Sequence, residues 1–81
     1  MPRMTPHGFA YVAFREHEQG ASSSALFASP VWRRWLLDAT RVAELFNQAE
    51  RIGVLRFSQA GSAVRVDWRV GSLEEVARAA A

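Results

Sequence analysis

The stretch from Ser29 to Val70 constrains the fold more than any other part of the chain. It reads as a capped amphipathic helix running straight into a β-hairpin. Ser29-Pro30 is a helix start, because serine accepts a hydrogen bond from an orphan N–H and proline suits the first helical position, where no donor is needed. Val31, Trp32, Trp35, Leu36, Ala39, Val42, Ala43, Phe46 and Ala49 then recur at helical spacing along one stripe. Gly53 supplies the stop. The spacing predicts one helix from Pro30 to Ile52, with Arg33, Arg34, Arg41, Glu44, Gln48 and Arg51 on its polar face and pairs expected between Arg34 and Asp38 and between Arg41 and Glu44. Leu37 breaks that pattern by falling in the middle of the polar face. Three readings accommodate it: a single exposed leucine, contact with a partner, or a break near Asp38 to Thr40 where Asp and Thr cap a second helix. The unbroken helix is the favoured expectation.

After the helix, Val54 to Ser58 and Ala63 to Val70 alternate as two strands joined by Gln59-Ala60-Gly61-Ser62. Leu55, Phe57, Val64, Val66, Trp68 and Val70 take the buried side, leaving Arg56, Arg65, Asp67 and Arg69 outside. Ser72-Leu73-Glu74-Glu75 has the spacing of a capping box and predicts a short C-terminal helix with Leu73, Val76, Ala77 and Ala80 inward.

Upstream, Gly8 to Arg15 is rich in aromatic and β-branched residues and reads as a strand. Phe9 and Tyr11 would lie on one face, Val12 and Phe14 on the other, so both faces look apolar. Glu16 to Ser24 is a polar loop, and Ala25 to Ala28 a short helical turn. Met1 to Thr5 carry no structural signal, and residues 1–7 are expected to be flexible. The resulting expectation is a single α+β domain over residues 1–81: a three-stranded antiparallel sheet packed on one long amphipathic helix, with a short C-terminal helix. Trp32, Trp35, Phe46, Leu55, Phe57 and Trp68 are the large core candidates, Trp32 being the one a small core can leave exposed.

Eighty-one residues bury only about 60% of the surface the unfolded chain exposes, so the stability margin is narrow. With 49% hydrophobic and 22% charged residues the composition is that of a folded domain rather than a disordered one. Cysteine is absent, which removes disulfides and thiolate metal sites. The N-terminal residues form no apolar signal-peptide core, and no apolar run approaches a membrane span, so a cytoplasmic location is expected. All ten basic residues are arginine, a bias that fits a GC-rich bacterial or phage genome. A net charge of +2 is too small for a strong non-specific field, so any nucleic-acid contact would depend on local clustering.

No constellation points to catalysis, a metal or a cofactor. His7 and His17 lack convergent ligands, Glu74-Glu75 is accounted for by the helix N-terminus it occupies, and Ser22, Ser23 and Ser24 have no base nearby in the pattern. The leading expectation is therefore a non-enzymatic protein-protein interaction module, a small homodimeric regulator or inhibitor, touching its partner through Phe9, Tyr11, Val12, Phe14 and Leu37. The alternative is nucleic-acid binding through Arg33, Arg34, Arg41, Arg56, Arg65 and Arg69. From Thr40 to Val70, a helix ending at Ile52-Gly53 and a hairpin with outward Arg56, Arg65 and Arg69 resemble the recognition helix and wing of the winged-helix family, which implies a DNA ligand. A break near Asp38 to Thr40 favours this alternative, and an unbroken helix favours the interaction module.

Overall fold

The structure, a computed structural model, describes residues 3–80. Thr5-Pro6 starts a helix, and this decides the N-terminal half of the fold. In α1 (Pro6–Glu18) the Thr5 hydroxyl accepts a hydrogen bond from the Gly8 N–H at 3.0 Å, and Pro6 stands where no donor is needed. Phe9, Ala10, Ala13 and Phe14, spaced one and four apart, form one buried stripe. The expected strand at Gly8 to Arg15 is thus a helix, and among the described residues the antiparallel sheet has two strands instead of three. Local β preference loses here because a helix lets four side chains reach the same core. Of the segment expected to be flexible, Met4 is buried, Thr5 caps, and Pro6 and His7 are helical, while residues 1 and 2 lie outside the described residues.

Helix α2 (Ser23–Phe27) follows, capped by the Ser22 hydroxyl, which accepts from the Ala25 N–H at 3.2 Å. The expected loop at Glu16 to Ser24 is therefore shorter, its two ends being helical. Next comes α3 (Val31–Arg34), which stops after four residues. Helix α4 (Ala39–Arg51) starts afresh, with Asp38 accepting from the Arg41 N–H at 2.8 Å. The single helix from Pro30 to Ile52 is thus two helices, and the break lies at Trp35 to Asp38. Strands β1 (Leu55–Ala60) and β2 (Ala63–Trp68) pair antiparallel around a Gly61-Ser62 turn, with Arg56 opposite Asp67 and Phe57 opposite Val66. Helix α5 (Leu73–Ala80) closes the chain, and the Ser72 hydroxyl accepts from the Glu75 N–H at 3.2 Å. On α5, Val76 is buried and Leu73 half-buried, whereas Ala77, expected inward, is exposed. Ala80, assigned to the same inner face, has a side chain outside what is described.

Helices α1, α3 and α4 end in one geometry. The residue after each cap is left-handed, and two hydrogen bonds close the last turn: Gly20 to His17 and Ala21 to Glu16, Leu36 to Arg33 and Leu37 to Trp32, Gly53 to Glu50 and Val54 to Ala49. Two of the three positions are glycine, at φ 95° and 88°. The third is Leu36 at φ 58°. Leu37 then turns inward against the core, and Leu36 stands 75% exposed, which reverses the expected roles of these two leucines.

The core lies between the hairpin's inner face and the helices, with α1 against α4 and α5, α2 against β2, and β1 against α4. Phe9 stacks on Trp32 at 4.4 Å between ring centres and meets Phe46 edge-on at 4.8 Å, and Phe46 stacks on Phe57 at 4.9 Å. Trp32, of all the core candidates the one most open to exposure, is buried, and its indole N–H donates to the Leu26 carbonyl at 2.8 Å. That bond gives a second donor to a carbonyl at the end of α2 that otherwise accepts a long bond from the Ser29 N–H at 3.3 Å. Trp35 and Trp68 are half-buried at the edge of the cluster. The hairpin is tied to the helices by Ser23, whose hydroxyl accepts from the Val66 N–H at 2.9 Å and donates back to the Val66 carbonyl at 3.4 Å.

Candidate nucleic-acid interface

The hairpin separates its side chains by pleat. Leu55, Phe57 and Val66 face the helices, so Arg56, Ser58, Arg65 and Asp67 must face outward, and all four are exposed. Arg65 Nε lies 3.0 Å from Asp67 Oδ2, and Arg56 sits directly across from the same Asp67. Both members of the Arg65–Asp67 pair are at least half exposed, so it adds at most about 1 kcal/mol and is readily exchanged for a better anion. Arg69, just beyond β2, is exposed and is fixed through its N–H, which donates to the Val54 carbonyl at 2.9 Å. Three guanidinium groups and one carboxylate thus lie along one ribbon. Planar forks of this kind match the geometry of phosphate oxygens.

Helix α4 carries the second element. With Val42, Leu45, Phe46 and Ala49 turned to the core, the outward stripe is Thr40, Glu44, Asn47 and Arg51, all exposed. Arg41 Nη1 reaches Glu44 Oε2 at 3.1 Å, as the three-residue spacing predicts. Asparagine and arginine are the side chains that pair bidentately with adenine and guanine edges. Thr40 and Asn47 do not stand out as candidates in the sequence, where charge singles out arginine alone; the periodicity of the α4 polar face is the signal that finds them. The helix break takes Arg33 and Arg34 off this face and places them on α3, and the expected Arg34–Asp38 pair is absent among the described residues.

The five residues expected to touch a partner do not share one exposed face. Phe9 and Phe14 are core residues at 0% and 2% exposure, Val12 is half-buried, Leu37 packs inward, and Tyr11 alone of the five is exposed. His17, at the end of α1, stacks on Trp68 at 5.3 Å between ring centres. Among the described residues no group of His, Asp and Glu could hold a metal ion, and no helix is long and apolar enough to cross a membrane.

An open cleft of about 310 Å³ lies between the end of α2 and the α3–α4 turn, with Phe27, Trp32, Leu37 and Val42 along it and Arg33 and Asp38 at its margin. Comparison of the chain with protein-family models, with curated proteins and with solved structures found no match.

Proposed function

We propose that this chain is a non-enzymatic DNA-binding module of winged-helix-like organisation, in which α4 lies along a groove and the β1–β2 hairpin acts as the wing. One observation carries the reading. The helix is interrupted at Trp35 to Asp38, and Asp38 caps a separate thirteen-residue helix that runs directly into a hairpin bearing Arg56, Arg65 and Arg69 outward. A short helix, a turn and a second helix followed by a basic ribbon is the arrangement that presents one helix to a groove while the ribbon follows the backbone. Thr40, Asn47 and Arg51, which share their stripe with Glu44, support it, because these three side chains can address base edges as well as phosphates. The interaction-module alternative loses part of its support, since Phe9 and Phe14 of its apolar strand are core residues of α1 and Leu37 is packed inward. A cytoplasmic bacterial or phage-encoded protein has the access to DNA that this role requires.

The modest net charge leads to a specific expectation: binding rests on a few phosphate contacts and falls off steeply with salt. Fluorescence anisotropy with a labelled duplex, repeated over a salt series, measures this. Changing Arg56, Arg65 and Arg69 together to Ala should weaken binding and reduce the slope of log K against log salt by roughly 0.9 for each phosphate that is no longer neutralised. A folded triple variant with unchanged affinity and slope removes the wing assignment. Absence of duplex binding by the unmodified protein at low salt removes the reading altogether.

A further inference from the structure

The structure assigns the α3–α4 turn as a docking surface for a second copy of this chain, with Leu36 as the inserted residue. This inference is independent of the DNA-binding reading. Three helices close with the same pair of hydrogen bonds and the same left-handed residue, and at two of them that residue is Gly20 or Gly53. At the third it is Leu36, whose Cβ makes the left-handed conformation unfavourable and whose side chain is 75% exposed. Leu36 therefore gains little from its own core, and glycine would close the turn with less strain. Strain combined with an exposed apolar side chain points to a contact outside the monomer.

What that contact is follows from the same turn. The neighbouring cleft is lined by apolar side chains, Phe27 and Leu37 among them, and by exposed Arg33 and Asp38. A protruding leucine, part of a cleft lining, the two cations Arg33 and Arg34 and the anion Asp38 thus occur within the seven residues from Trp32 to Asp38. Such a patch is self-complementary. A two-fold axis through the turn brings each Leu36 to the other copy's cleft and each Arg33 to the other copy's Asp38, since in an isologous contact residue i meets j while j meets i. The patch is small, so the dimer should be weak and depend on concentration.

Sedimentation equilibrium on the full chain, from micromolar to millimolar concentration, tests the proposal. The expected result is a mass rising from 9.0 kDa towards twice that value. Leu36→Gly should stay monomeric throughout while melting no lower than the unmodified chain, because glycine already closes the equivalent turns. Arg33→Glu places like charges across the axis without touching the left-handed residue and should also remain monomeric. A chain that is monomeric at millimolar concentration overturns the proposal, as does dimerisation unchanged in either variant.

Discussion

Helices α1 and α3 carry the same start signal in sequence and stop in the same geometry. Each start is marked by a hydroxyl residue and a proline, Thr5-Pro6 and Ser29-Pro30, but Thr5 caps α1 with Pro6 as its first residue, whereas Pro30 itself stands at the cap of α3. Each helix stops at a left-handed residue closed by two hydrogen bonds. Yet α1 runs thirteen residues and α3 runs four. The difference lies in what each can bury. Along α1, Phe9, Ala10, Ala13 and Phe14 all reach the core, and fully burying a phenylalanine contributes about 2 to 3 kcal/mol. Along α3 only Trp32 is buried, and Arg33 and Arg34 follow it into solvent. The starts differ in use as well. The Thr5 hydroxyl serves its own helix, whereas the Ser29 hydroxyl donates to the Glu16 carboxylate on α1 and accepts only a 3.3 Å contact from the Val31 N–H. A start signal marks where a helix can begin, and burial decides how far it goes.

The comparison can be broken most severely at Phe9, which joins α1 to Trp32 of α3 and to Phe46 of α4. Phe9→Ala should cost about 3 to 5 kcal/mol, a large part of the total stability of a domain this size, and urea unfolding should show a collapsed midpoint or no cooperative transition. A loss below about 1 kcal/mol would mean that burial does not set the length of α1.

The two starts give the next effect. If the Ser29 hydroxyl ties α3 to α1, Ser29→Ala should cost about 1.5 to 3 kcal/mol through removal of a hydrogen bond to a charged group, and a double-mutant cycle with Glu16→Ala should show coupling. Thr5→Ala should cost about 1 kcal/mol and be additive with Glu16→Ala. Coupling of equal size in both cycles would erase the distinction between the two starts.

The smallest effect concerns the ends and has the opposite sign. Leu36→Gly relieves about 1 to 2 kcal/mol of left-handed strain and gives part of it back as chain entropy, so dilute protein should gain roughly 0.5 to 1 kcal/mol. A calorimetric scan should show this as a melting point raised by a few degrees. A lower melting point would mean that Leu36 stabilises its own monomer.

The hairpin, its outward arginines, the C-terminal cap and the stop at Gly53 are legible in the sequence because each rests on a local rule with a short range. Helix α1 is not, since Phe9, Tyr11, Val12 and Phe14 favour strands taken singly. The contrary signals, Thr5-Pro6 and the one-and-four spacing of the buried residues, are present but are outweighed by that composition, whereas at Ser29-Pro30 nothing competes with them. The break after α3 is visible only as the second choice. Asp38 announces a cap, but the left-handed turn before it is normally marked by glycine, and here a leucine stands in its place. For the candidate interface, charge leads to the hairpin, while Thr40 and Asn47 emerge only once the core side of α4 is known.

The Ser23 hydroxyl has a consequence for how the protein behaves in quantity. A strand with an open edge is a template on which another molecule's strand can add, and repeated addition gives filaments. At Val66, midway along β2, both the N–H and the carbonyl are engaged by the first residue of α2. A strand arriving on that side would have to displace a helix before gaining its central hydrogen bonds. Resistance to polymerisation along this edge is thus set at the start of α2, so Ser23→Ala should shorten the protein's lifetime in concentrated storage even where the folded monomer persists.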